Sequence, residues 1–481
     1  MFELIFIIVY FGIMMAIGPL AGRQMKKGTS SDFILAGKKA PTLLVTGGIV
    51  ATMINSATLL GFTGSGFSLG ISAYFSAVGY MIIITWMGFW FIPRIRRANI
   101  ATIPELFGRY LGVPHRLVSM VLVMFRDVGV TAGAIIGMAT IFQLLFDIPL
   151  DLALVITLGV TLFFTVTGGM WAVMVTDSIQ TALLLIGTIL LIPLGIAYIG
   201  GWESFTSLIP STHVNIWNAG GSQAFAWVLM GAFTAIGYQT LVQRGLSAKS
   251  EEVAKKGFLY GGIITLVWYI VPFLIGTIAV VIFPDISPDS AYVSMAELFG
   301  EFGSIFFITL VIASCISTLS STILTTSSNL SIDVYKELIN PNATEKQVVF
   351  VTRISIFIVA IVGTLIARAL PYILELLLIG GRIMGASLSP VLISLVFWKA
   401  SRRAPKSTIS AMVVGAMVTI VSLLIGQSVS PEEEGGVVML WAIDPVLLGL
   451  PVTIGILVIG VLFETRNKNM NIPVADNVKS N

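Results

Sequence analysis

The stretch GGIVATMINSATLLGFTGSGFSLG, Gly47 to Gly70, starts as a membrane helix and then stops behaving as one. Its apolar run carries Thr52, Asn55, Ser56 and Thr58 in the middle, followed by Gly61, Gly64 and Gly66. The second half therefore has weak helix propensity and places several polar groups at bilayer depth. Lipid cannot hydrogen-bond freed backbone groups. Irregular backbone at that depth survives only when buried in protein or lining a cavity, and in transporters such broken helices offer carbonyls to cations and helix ends to substrates. The stretch points to a binding site in mid-membrane, against the alternative of a helix that ends at Gly61 before a small-residue packing surface.

Composition agrees. Of 481 residues, 56% are hydrophobic and 11% charged, which is the membrane class and leaves room for about a dozen spans. Hydropathy places spans near 3–22, 41–65, 70–93, 115–147, 151–169, 176–200, 223–243, 257–283, 300–332, 347–370, 372–399, 408–427 and 442–463, with a polar tail over 464–481. The first run precedes Arg23, Lys26 and Lys27, the reverse of a cleavable signal peptide, so it reads as an uncleaved span with its N-terminus outside. Every second loop is basic: 23–40, 94–116, 244–256, 333–353 and 399–406, with the tail, hold 24 of the 27 Lys and Arg residues. The opposite loops carry acids instead, including Asp285, Asp289 and Glu432 to Glu434. The positive-inside rule then predicts a plasma-membrane protein with a cytoplasmic C-terminus.

Function is expected among the helices. In the ninth span Ser314, Ser317, Thr318 and Ser321 fall on one helical face with Ser320 beside them, and clustered neutral oxygens suit a hard monovalent cation such as Na+. Packing between helices is the competing reading, because Ser and Thr also bond back to their own carbonyls. Asp177 is predicted at the start of the sixth span, either as an N-cap or as the anionic ligand of a cation beside the Ser/Thr stripe. Arg126, next to Asp127, and Arg382, with Glu375 seven residues before it, lie inside spans, where insertion costs about 2.5 to 3.5 kcal/mol per Arg. Each needs an anion; for Arg382 a ligand carboxylate is the favoured partner.

Cys315, the sole cysteine, excludes a disulfide or a cysteine metal site within one chain. His115 and His213 read as loop residues, and no phosphate-binding glycine loop is present, so neither a Ser/His hydrolase nor direct ATP use is expected. Nothing points to nucleic acid or an obligate protein partner. Lipid, Na+ and a small solute are the expected partners.

Four segments, TVTGGMWAVMVTDSIQ around Asp177, QRGLSAKS at Gln243 to Ser250, SCISTLSS with SIDVYK in and after the ninth span, and GASLSPVLISLVFW in the eleventh, resemble the sodium:solute symporter family. The resemblance covers nearly the whole chain. It implies an all-α membrane fold of about thirteen transmembrane helices with a five-plus-five inverted-repeat, LeuT-like core, the first helix of each repeat broken. The repeats would be 41–200 and 223–399, flanked by the helix at 3–22 and by two helices over 408–463. Carried over, the family's common Na+ site uses the carbonyls of Ala51, Ile54 and Ser314 with the hydroxyls of Ser317 and Thr318. A second site, found in some members, uses Asp177, Ser317, Ser320 and Ser321. Substrate positions fall at Ser56, Thr58, Arg126, Thr234 and Arg382. Thr58, Ala77, Gly231 and Thr234 stand where sugar symporters carry other groups, and Arg382 where they carry Gln. The expected activity is Na+-coupled symport of a small carboxylate, an organic acid, amino acid or pantothenate-like compound, by alternating access. The alternatives are a cation-selective channel or a proton-coupled transporter of the same fold.

Overall fold

The computed structural model describes residues 28–369, 373–429 and 443–466, with isolated positions 12, 17 and 20. The expected first span and most of the polar tail lie outside the described residues. What is described is nearly all helix: α1 Thr42–Met53, α2 Ser56–Leu69, α3 Phe75–Trp86, α4 Ile103–Leu111, α5 Val113–Phe146, α6 Leu150–Ile199, α7 Gly221–Gly237 and α8 Gln239–Ser247. They are followed by α9 Glu251–Trp268, α10 Ile270–Ile282, α11 Gly300–Asn329, α12 Glu345–Ala369, α13 Ile373–Phe397, α14 Pro405–Val429 and α15 Pro445–Arg466.

The predicted interruption is present. Thr42 to Met53 is helical, Ile54 departs from helical geometry at φ −94° and ψ 86°, and Asn55 caps a new helix. Asn55 and Thr58 form a reciprocal capping box, which satisfies two backbone donors that a helix start would otherwise leave bare. A second break separates α7 from α8 at Tyr238, with the two helices bent by 50°. Periodicity had placed a single span at 223–243 and gave no position for this break.

Among the described residues nine helices are long and apolar enough to cross a membrane, or ten if α7 and α8 count together. The difference from thirteen has local causes. The first expected span is not described, the break at Ile54 leaves α1 too short to count, and of the run Leu150–Ile199 only Gly168–Ile199 counts, the Leu150–Phe163 stretch before it being too short. That run, α6, bends at Gly169, whose φ of 52° and ψ of −157° belong to glycine alone. The helix continues straight through Asp177, which is therefore not an N-cap.

Packing gathers the broken segments at the centre. α1 lies against α6 and α9, α11 against α5 and α6, and α13 against α5 and α7, while α14 and α15 pair with each other and lean on α13. Small residues permit the close approaches: a Cβ at Gly48 would sit 2.9 Å from Arg244 Cδ, and one at Gly380 would sit 2.8 Å from Arg126 Cα.

The kink at Gly169 also brings its backbone onto Phe33, whose carbonyl lies 2.8 Å from where a Cβ would be. Gly169→Ala is expected to cost about 1 to 3 kcal/mol and to lower the apparent Tm in detergent. Gly159→Ala on the same helix, where a Cβ meets nothing within 4 Å, leaves it unchanged or higher. Equal melting of both variants and wild type would show that the kink stores no strain.

Candidate functional site

In an uninterrupted helix the amides of Asn55 and Thr58 would bond the carbonyls of Ala51 and Ile54, four residues back. Here they go elsewhere: Asn55 N–H donates to Thr58 Oγ1 at 2.9 Å and Thr58 N–H to Asn55 Oδ1 at 3.0 Å. The two carbonyls between are provided for. That of Thr52 accepts from Asn55 Nδ2 at 3.4 Å, and that of Met53 from Thr58 Oγ1 at 3.1 Å and from the Tyr269 hydroxyl at 2.5 Å. Ala51 and Ile54 are thus the carbonyls whose helical donors the cap diverts. Both residues are buried.

α11 packs on both halves of the break. Its polar stripe is buried throughout, and its hydroxyls act as donors to their own surroundings. Thr318 Oγ1 donates to the Ser314 carbonyl at 2.9 Å, Ser320 Oγ to the Ser317 carbonyl at 3.1 Å, and Ser317 Oγ to Asp177 Oδ1 at 2.6 Å. A hydroxyl that gives its proton away keeps its lone pairs for a cation. Ser314 Oγ makes no hydrogen bond to the described residues.

Asp177 is fully buried, and the cation beside it is a side chain. Arg244 Nη2 lies 2.7 Å from Asp177 Oδ2 and donates to Ser321 Oγ at 2.5 Å, while Ser321 Oγ lies 3.3 Å from the same carboxylate oxygen. The sequence reading counted Arg244 among the charges of a cytoplasmic loop at 244–256. Instead it is on α8 with no exposed surface, because the short helix after the second break is enclosed by the bundle on every face. The QRGLSAKS segment, which carries part of the family resemblance, contains it, but no role was read from that segment.

The second break adjoins the other buried cations. Arg126 pairs with Asp127 at 3.0 Å, and its guanidinium lies 3.3 Å over the ring of Tyr238, the residue at the α7–α8 break. Arg126 Nε and Asp127 Oδ2 have no hydrogen-bond partner among the described residues. Arg382 meets a carboxylate that sequence spacing did not supply: its Nε lies 3.3 Å from Asp444 Oδ2, just before α15, where Asp444 Oδ1 also accepts the Val446 amide at 2.9 Å. Among the described residues Arg382 Nη2 has no partner, and the side chain of Glu375 lies outside them. Thr234 donates to the Gly381 carbonyl at 2.9 Å, joining α7 to α13 beside Arg382. Tyr80 lies within electrostatic reach of Arg126, Tyr238 and Arg382 and against Thr234. Of the expected substrate residues, Arg126, Thr234 and Arg382 converge here, whereas the Thr58 hydroxyl is engaged in the cap of α2 and Ser56 adjoins Cys315.

The two histidines are helical and buried, not in loops: His115 Nε2 lies 2.8 Å from the Pro405 carbonyl and His213 Nε2 2.7 Å from that of Phe67. At the end of the bundle where the basic loops gather, Arg116 is held by Asp333 at 2.7 Å and Glu337 at 2.5 Å, and Thr102 Oγ1 donates to the same Asp333 at 3.1 Å. The Gln239 side chain joins α4 to α11 there, accepting from the Ile103 amide at 3.1 Å and donating to Asn329.

Comparison with known proteins bears on the fold and the family. The model of the sodium:solute symporter family matches residues 33–415. A sodium/proline symporter of Staphylococcus aureus is 27% identical over 446 residues, covering 87% of this chain and 85% of its own. Among solved structures, a Na+-coupled sialic acid symporter in a substrate-bound outward-open state superposes with a TM-score of 0.79 at 19% identity, over 97% of this chain and 98% of the other. A nucleobase-cation-symport-1 family transporter in a closed conformation, with bromovinylhydantoin bound, superposes at 0.60 and 14% identity, over 90% and 95%. With its family model matched over most of its length and its fold that of the LeuT-like carriers, the chain belongs to the sodium:solute symporter family, multi-pass membrane proteins for which Na+ is the coupling ion in symport of a small organic solute.

Proposed function

We propose that the chain takes up a small carboxylate with Na+ by alternating access, holding the ion between the α1–α2 break and the hydroxyl stripe of α11. The observation that carries this reading is the capping box, which withdraws the amides of Asn55 and Thr58 from the carbonyls of Ala51 and Ile54. These two carbonyls, with the carbonyl of Ser314 and the hydroxyls of Ser317 and Thr318, are a set of neutral oxygens suited to Na+. Residues 41–200 and 223–399 act as the two repeats, with 3–22 and 408–463 as flanking helices and 464–481 as a tail. The basic loops face the cytoplasm, so the N-terminus is outside and the C-terminus inside.

The solute sits between the two breaks, beside Ser56, Thr58, Arg126, Thr234 and Arg382. Free N–H groups on two buried guanidiniums support a carboxylate, Arg126 through Nε and Arg382 through Nη2. Both already have a carboxylate partner, Asp127 and Asp444, and Arg126 ranks first because it stacks on Tyr238 at the α7–α8 break itself. Within the carboxylates, the free Asp127 Oδ2 suits an ammonium group, and the similarity to sodium/proline symporters makes proline the first amino acid to test.

Two measurements test this. In proteoliposomes, Thr318→Ala and Ser317→Ala are expected to raise the Na+ concentration for half-maximal uptake by roughly five- to thirtyfold, the equivalent of about 1 to 2 kcal/mol for one lost ligand. Unchanged Na+ dependence in both variants places the ion elsewhere. For the solute, thermal-shift screening of purified protein against carboxylates with and without Na+, starting with proline, is expected to yield a ligand whose amide binds about tenfold to a hundredfold more weakly. Arg126→Gln is expected to bind the acid and its amide alike. If Arg126→Gln discriminates as wild type does and Arg382→Gln does not, Arg382 is the clamp.

A further inference from the structure

Asp177 and Arg244 form an ion pair with no exposed surface on either side chain. Both carboxylate oxygens are used: Oδ1 accepts from Ser317, and Oδ2 is shared by Arg244 Nη2 and Ser321. The guanidinium is seated as well as paired. Its Nη1 lies 2.9 Å from Met170 Sδ, and its stem runs across Gly48 of α1, where a Cβ would come within 2.9 Å of Cδ. Four helices, α1, α6, α8 and α11, thus meet around one neutral pair. A further cation at this carboxylate would leave a net positive charge in a dry site, at a desolvation cost that a single carboxylate already neutralised by Arg244 cannot offset.

We propose that Arg244 is the built-in cation of this site. Its guanidinium fills the place at which the sequence resemblance put a second Na+, with Ser321 as a shared ligand, so that the chain binds Na+ at the α1–α2 break alone. Asp177 then serves the transported ion indirectly. By taking the proton of Ser317 it leaves that hydroxyl only lone pairs to present, making Asp177 and Arg244 positioning residues for the Na+ site.

The test counts Na+ bound to purified protein by equilibrium binding of radioactive Na+, with choline holding ionic strength constant. Three proteins are compared: wild type, Arg244→Met, and the neutral pair Asp177→Asn/Arg244→Met, which removes both charges together and so avoids stranding either. At saturating Na+ the pair variant is expected to bind as many Na+ as wild type, with a higher half-saturating concentration because Ser317 has lost its carboxylate acceptor. Arg244→Met alone is expected to bind one more, and its Tm deficit is expected to shrink as Na+ replaces choline, because Na+ then neutralises the stranded carboxylate. A pair variant that binds one Na+ fewer than wild type overturns the proposal, as does an Arg244→Met protein with no added ion and no recovery in Na+. Should Arg244→Met not survive purification, the count for the neutral pair decides. Because each count is read against wild type, the result reports on Asp177 whether or not the break holds the coupling ion.

Discussion

In a bilayer every backbone N–H and C=O must find a partner within the protein, and the architecture follows from the place where this chain suspends that rule. A plain interruption at Ile54 would strand donors and acceptors on both sides. The Asn55–Thr58 cap resolves the donors by turning two amides onto side chains, and Tyr269 reaches across to the Met53 carbonyl. What remains is a pair of carbonyls whose helical donors the cap has diverted, opposite a helix rich in hydroxyls. An apolar α11 would leave those carbonyls with nothing to share a cation with, and a break without its cap would unravel α2.

Charge inside the bundle is balanced in the same economical manner. Arg126 with Asp127, Arg244 with Asp177 and Arg382 with Asp444 are buried pairs, each neutral as a unit. Such pairs seldom add net stability over apolar packing, but they punish misplacement, since separating one leaves a bare charge in low dielectric. Two of the three tie distant segments together, α6 to α8 and α13 to the start of α15. They fix which helices meet at the centre. With the resident charges cancelled, the cargo brings the uncompensated ones.

The sequence was most legible where chemistry and periodicity coincide. Glycines and polar residues between Gly47 and Gly70 marked the first break, and helical spacing placed Ser317 and Ser321 together, as their shared contact with Asp177 now shows. It was least legible where a polar residue is buried by tertiary contact. Arg244 looked like the start of a loop because hydropathy averages over a window and cannot know that a short polar helix is enclosed on all sides. Tyr238 carries no breaker of its own beyond the preceding Gly237; the bend accompanies the stacking of Arg126, which lies more than a hundred residues earlier. Asp444 was invisible as a partner for Arg382, since spacing along one helix reveals only neighbours three, four or seven residues away. The N-cap reading of Asp177 failed because the chain leaves helical geometry at Gly169, eight residues earlier, and is already helical where Asp177 stands.

The two ends of the bundle are closed by unequal means. At the basic end, Arg116 and Asp333 are buried together and reinforced by Thr102 and Glu337, whereas at the other end Arg368 and Asp151 pair in the open, where solvent screens them. Separating Arg116 from Asp333 means rehydrating a buried pair, a step on the order of several kcal/mol, whereas separating the exposed Arg368 and Asp151 costs little. Among the described residues, then, the basic end is the costlier of the two to part, and its cost is electrostatic where that of the other end is not.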